Sequence, residues 1–163
     1  LFAGKGLCGS CHFFPLFNGS VPPFYIDSEF EVIGTAENST NKKVDKDEGR
    51  YLVTGIPEQR FAFKTPTVRN IEFTAPYMHN GSYKELKDVV EFYHKGGGNG
   101  FGFNIPNQTL PFDSLQLNAS EKENIIHFMK SLSDTTGTIK KPVRLPAFEN
   151  DGLLNKRKIG GEY

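Results

Sequence analysis

Cys8, Cys11 and His12 stand in the run Cys8-Gly9-Ser10-Cys11-His12, a spacing that suits the covalent capture of a porphyrin. A C-x-x-C-H pentapeptide is the attachment site of a c-type haem. The two thiols add across the two vinyl groups of the macrocycle, and the adjoining imidazole takes one axial face of the iron. These are the only two cysteines in the chain, so one haem would use every thiol. A structural zinc site needs about four ligands, and no second Cys or His pair stands at finger spacing. A thioredoxin-like C-x-x-C belongs beside a βαβ pattern, whereas proline, glycine and aromatic residues follow this one. A chain made recombinantly without haem is expected to join Cys8 to Cys11 as a disulfide, because adjacent thiols oxidise readily.

The elements that must position this motif are few. Leu1 to Leu7 reads as a short helix leading into it. From Phe13 to about Arg50 the composition turns to Pro, Gly, Asn and Ser with scattered aromatics, which indicates loops and turns. Asp45-Lys46-Asp47-Glu48-Gly49 reads as a solvated turn, since the spacing of an EF-hand is not met. Tyr51-Leu52-Val53-Thr54 is the one segment with strand character. A second helix is expected from Ser82, with Glu85 as its capping-box partner. Leu86, Val89, Val90 and Tyr93 form its apolar face, and Gly96-Gly97-Gly98 stop it. A third helix is expected from Ser120, boxed by Glu123, with Ile125, Phe128, Met129 and Leu132 as its stripe. From residue 136 to 163 the chain reads as an extended tail carrying Pro142, Pro146, the basic run Lys156-Arg157-Lys158 and Gly160-Gly161. The fold class is therefore mainly α, a cytochrome c-like haem domain over residues 1–135 with long irregular loops and the tail appended.

Composition fits a chain that borrows core material from a flat macrocycle. Among 163 residues there are 15 phenylalanines and no tryptophan, and 19 basic residues balance 19 acidic ones. The neutral balance gives no electrostatic case for nucleic acid or an anionic membrane surface. No run approaches the roughly 20 apolar residues of a membrane span. Haem c is attached outside the cytoplasm, so a periplasmic location is expected. Leu1 is not an initiator, and the chain reads as cut from a longer precursor.

The opposite face of the iron has six candidates: Met78, His79, Tyr93, His94, His127 and Met129. Met78 lies in the rigid loop Thr74-Ala75-Pro76-Tyr77-Met78-His79-Asn80-Gly81, and spacing alone favours it. Met129 belongs to a helical apolar stripe and is expected in the core. His127 is offset from that stripe and is expected at the surface.

Three segments and the tail then carry a resemblance. Phe63-Lys64-Thr65-Pro66-Thr67-Val68-Arg69-Asn70, the TAPYMHNG loop, the Glu85-to-Gly97 helix and the closing Leu154-to-Gly161 run occur in this order. Together they resemble the second, C-terminal haem domain of bacterial di-haem cytochrome c peroxidases and their MauG-type relatives. In the peroxidases the distal methionine lies about fourteen residues beyond the loop histidine. Counted from His79, that position is Tyr93, and MauG-type members carry a ligating tyrosine there. The resemblance thus implies Tyr93 as the distal ligand, with Met78 as the alternative. It also implies a calcium site using the backbone carbonyls of Thr74 and Pro76, completed by an asparagine of the first domain. Arg69 and Lys64 would serve as partners of the haem propionates. The implied function is electron transfer to a peroxide-reactive domain lying upstream of Leu1, fed by a small redox protein, with little peroxidase activity in this chain alone. His79 and Glu91 are the residue types available for acid–base work. The alternative is a self-contained monohaem cytochrome c electron carrier.

Overall fold

Asn118 opens the longest helix. Its side chain accepts the Glu121 N–H at 2.9 Å while the Glu121 carboxylate accepts the Asn118 N–H at 2.9 Å. Such reciprocal capping is worth about 1 kcal/mol. The start therefore falls two residues before the expected Ser120/Glu123 box, because asparagine in extended backbone already satisfies the first free donors. In this computed structural model, residues 1–111, 113–137 and 145–156 are described.

The elements are β1 (Phe30–Val32), α1 (Tyr51–Thr54), β2 (Ala62–Lys64), α2 (Leu86–His94), α3 (Gly97–Gly100) and α4 (Ala119–Ser131). Short 3-10 turns lie at Cys8–Ser10, Pro57–Gln59, Ile71–Phe73 and Leu154–Lys156. The expected few helices and long loops are there. Helix dominates the core rather than the chain length, however, and a small antiparallel sheet is added to it. In that sheet Phe30 lies opposite Lys64, Glu31 opposite Phe63 and Val32 opposite Ala62. No helix of the described residues is long and apolar enough to cross a membrane.

The main core lies where α2 meets α4. Leu86, Val90 and Phe92 pack with Ile125, Ile126 and Met129, joined by Phe2, Phe17, Val68, Tyr77, Tyr83 and Leu117. Phe92 is fully buried, and a side chain of that size gains about 1.5–3 kcal/mol by leaving water. Val32, Ala62 and Ile105 form a second, smaller core beneath the sheet. Gly6 lets the first residues lie directly on α4. A Cβ there would sit 2.9 Å from Ile125 Cδ1 and 3.1 Å from the Leu1 carbonyl.

Four local expectations are corrected. Leu1 to Leu7 is a series of turns, with the Gly6 and Leu7 N–H groups donating to the carbonyls of Leu1 and Gly4. Two glycines in seven residues deny it helix propensity. Tyr51–Thr54 is a single helical turn rather than a strand, closed by Gly55 in left-handed backbone whose N–H donates to the Tyr51 carbonyl. Ser82 does not cap α2: Glu85 stands at its N-cap without a side-chain bond, and the Ser82 hydroxyl is buried with no partner among the described residues. Gly96 does end α2 in left-handed backbone, but the chain then makes one further turn as α3. In the tail, Asn155 and Phe148 exchange two hydrogen bonds across a local turn. Pro142 and the Arg157-to-Gly161 end of the basic run lie outside the described residues.

Candidate functional site

The 3-10 turn Cys8–Ser10 gathers the motif. The His12 N–H donates to the Cys8 carbonyl at 2.9 Å, so both cysteines and the imidazole lie on one short loop. Both thiols are free in this structure; the disulfide expected of a haem-free chain is not formed here. Burial pushes each thiol up to about 11, which keeps both protonated near neutrality.

His12 is oriented from a distance of 54 positions. Its Nδ1 lies 3.0 Å from the Pro66 carbonyl, and because a carbonyl only accepts, Nδ1 must carry the proton. Nε2 is then left with its lone pair. Burial holds the imidazole below its ordinary pKa, against the pull of its hydrogen bonds to the Pro66 and Phe17 backbone. The ring is thus neutral and of one tautomer, the form that binds a metal. The Pro66 carbonyl is itself fixed by neighbouring backbone bonds: Gly19 donates to Thr65, Thr65 to Glu29, and Val68 to Phe17. Arg69 fastens the same loops, donating through Nη2 to the Pro15 carbonyl at 2.8 Å with its guanidinium 5.4 Å from the Phe17 ring centre. Lys64 ends β2 and is exposed.

Tyr93 lies in the last turn of α2, edge-on to Phe92 at 5.6 Å. Its phenol is pushed far above the usual tyrosine range, first by burial and then by the charges of Cys8, Cys11 and Glu31. Cys8 and Tyr93, far apart in sequence, both pack against the main core. Met78, in left-handed backbone, packs against the main core. His79 lies flat on Phe63, ring centres 3.6 Å apart and planes 9° from parallel. Its Nε2 is 3.8 Å from Asp45, and burial lowers its pKa against the opposing pull of that carboxylate. Asn80 donates to both the Ala36 carbonyl and the Asp45 carboxylate. The Asp45 turn, expected to be merely solvated, thus clamps the TAPYMHNG loop.

The other candidate residues are placed as follows. Met129 is in the core and His127 is exposed, paired with Glu123 at 3.3 Å. His94 keeps a buried Nδ1 with no hydrogen-bond partner among the described residues. Glu91 is tied to Lys122 at 2.6 Å, which together with Lys95 and His94 holds its carboxyl low despite burial. Thr74 is exposed and Pro76 half-buried, on the turn beyond the Ile71–Phe73 3-10 segment. Sequence reasoning missed Glu29 and Glu31. Donor atoms of Cys11, Glu29 and Glu31 all lie within 4.8 Å of one another. Only the alternation Glu29-Phe30-Glu31 hinted at it, since strand period places two such residues on one face.

The donor set fits a c-type haem: two thiols at attachment spacing, a neutral imidazole protonated at Nδ1, and a half-buried phenol packed on the same core as Cys8. No protein-family model matches the chain. It is 32% identical to the cytochrome-c peroxidase IdrP1 of Denitromonas iodatirespirans, over 90% of this chain and 42% of that protein. It is 31% identical to the cytochrome c551 peroxidase of Nitrosomonas europaea (93% and 37%) and 27% identical to the methylamine utilization protein MauG of Methylorubrum extorquens (87% and 35%). The chain thus spans about two fifths of the length of the curated relatives it matches. Among solved structures, a MauG-like protein associated with microbial copper homeostasis shares the fold. The TM-score is 0.65 at 24% identity, over 82% of this chain and 44% of that one.

Proposed function

The chain belongs to the family of cytochrome-c peroxidases and MauG proteins, and on that premise we propose that it is the electron-relaying haem c domain of a periplasmic di-haem peroxidase or MauG-like oxidase. The observation that carries this reading is the bond from His12 Nδ1 to the Pro66 carbonyl. It pre-sets the tautomer whose Nε2 lone pair can meet an iron, beside two thiols at the attachment spacing.

When bound, the haem supplies a one-electron iron couple that can pass charge without making or breaking protein bonds. Cys8 and Cys11 would hold the macrocycle through thioether bonds. His12 would hold the iron through Nε2, its ring orientation kept by the Pro66 carbonyl. Tyr93 would offer its phenol oxygen as the second ligand; an anionic oxygen donor would favour the oxidised iron, whereas the neutral thioether of Met78 would favour the reduced one. Arg69 and Lys64 remain the proposed partners of the propionates. The carbonyls of Thr74 and Pro76 are proposed as half of a calcium site, since carbonyl oxygens suit that ion. A peroxide-reactive domain upstream, and a small redox protein as donor, complete the proposal.

The test uses chain matured in a host that attaches haem c. Haem should stay on the denatured polypeptide and be lost when Cys8 and Cys11 are both replaced by alanine. Tyr93→Phe should change the ferric visible spectrum and raise the midpoint potential. A thioether charge-transfer band in the unmodified protein, or a Tyr93→Phe spectrum identical to it, would refute tyrosine ligation. In the gene, a second C-x-x-C-H is expected upstream of Leu1; its absence would favour the monohaem carrier.

A further inference from the structure

Glu29 and Glu31 stand where a carboxylate is costly to keep. β1 is three residues long, and Val32 on one of its faces is almost fully buried in the small core. Glu31 must therefore face the other way, and there it meets Cys11, with Glu29 beside it. The nearest donor atoms of the three residues lie within 4.8 Å of one another. The Glu29 Oε2 atom is buried with no hydrogen-bond partner among the described residues. Both residues are only half-exposed, so water screens the pair less than it would at the surface. Nor is any basic side chain ion-paired to either carboxylate among the described residues.

Two acids this close repel one another, and burial together with Glu31 raises the pKa of Glu29. Such an arrangement is destabilising unless something nearby benefits from negative charge. The rigidity of the backbone here is not accidental to the pair: the Glu29 N–H donates to Gly19, and its carbonyl accepts from Thr65, in the same bonded frame that holds Pro66 against His12. Glu31 is fixed by its register opposite Phe63, the ring on which His79 lies.

We propose that Glu31, seconded by Glu29, sets the reduction potential of the bound iron by holding fixed negative charge at the porphyrin edge where Cys11 joins it. This rests on the haem-domain reading above. A nearby anion favours Fe(III) over Fe(II), because the iron centre loses one positive charge when it accepts an electron. Glu31 is thus a positioning charge for the couple and not a ligand. In a relay domain it would keep the iron oxidised at rest and the electron ready to leave once delivered.

The experiment is a mediated redox titration of the haem-loaded protein beside Glu31→Gln and Glu29→Gln. Glu31→Gln is expected to raise the ferrous-to-ferric ratio at a fixed applied potential about tenfold, roughly 59 mV for a one-electron couple. Glu29→Gln should move it the same way by less. Glu31→Asp, which keeps the charge, should restore most of the native value. Haem attached with an unchanged potential in Glu31→Gln overturns the proposal while leaving the haem-domain reading intact. Failure of the unmodified chain to attach haem would instead overturn both. Should Glu31→Gln not fold, the titration of Glu29→Gln decides: a raised potential supports the proposal and an unchanged one overturns it.

Discussion

The two sides of the site are built by opposite means. The Tyr93 side is a helix whose position follows from burial: α2 presses Leu86, Val90 and Phe92 onto α4, and Tyr93 rides on its last turn. The His12 side has almost no regular structure. It is turns and loops, held in register by backbone hydrogen bonds between residues far apart in sequence, such as Phe17 with Val68 and Gly19 with Thr65. Burial is additive and tolerant of small shifts, whereas a hydrogen-bonded loop frame is directional. The helical side should therefore govern whether the chain folds, and the loop side how well the imidazole is aimed.

Phe92→Ala is the strongest way to break that division. It removes a fully buried ring from the centre of the helical side and should cost about 3–5 kcal/mol, read as a large fall in the denaturant midpoint. If stability barely moved, the helical side would not be the foundation assigned to it. Arg69→Ala attacks the loop side. Loss of its bond to the exposed Pro15 carbonyl should cost about 0.5–1.5 kcal/mol, yet it should disturb the His12 ring resonances in an NMR spectrum. A change in stability without a change at His12 would contradict the aiming role.

The smallest effect expected is one of pH. His79 has a folded pKa below its unfolded value of 6.5, chiefly through burial. As pH falls below about 6.5, the unfolded chain binds a proton that the folded chain refuses, so stability falls until the folded pKa is passed. Urea unfolding between pH 7 and 5 should show this slope, and His79→Phe should flatten it. An unaltered slope in that variant would remove His79 from the account.

Much of the helical side was legible in the sequence because helix periodicity is local. The stripe of Ile125, Phe128, Met129 and Leu132 and the face of Leu86, Val89 and Val90 announce themselves within a few turns. The helix starts were less legible. Asn118 and Ser120 both offer a side-chain oxygen, and only the backbone angles decide between them. The sheet was missed since three-residue strands have too few alternations to be seen, and Tyr51–Thr54, with better strand residues, is instead wound into a turn closed by Gly55. On the loop side the motif itself was plain, but nothing local says that Pro66 would turn its carbonyl to His12.

The sequence by itself determined the chemistry on offer: two thiols and an imidazole at haem spacing, a tyrosine at the end of an amphipathic helix, and a family resemblance strong enough to order the segments. Tertiary structure decided which of these groups have company. It gave His12 its tautomer through a carbonyl 54 positions away, packed Tyr93 and Cys8 against one core, and set Glu29 and Glu31 against Cys11. Residue types are inherited along the chain, but electric fields and hydrogen-bond directions depend on distance in space, and those distances exist only once the loops have closed on the core.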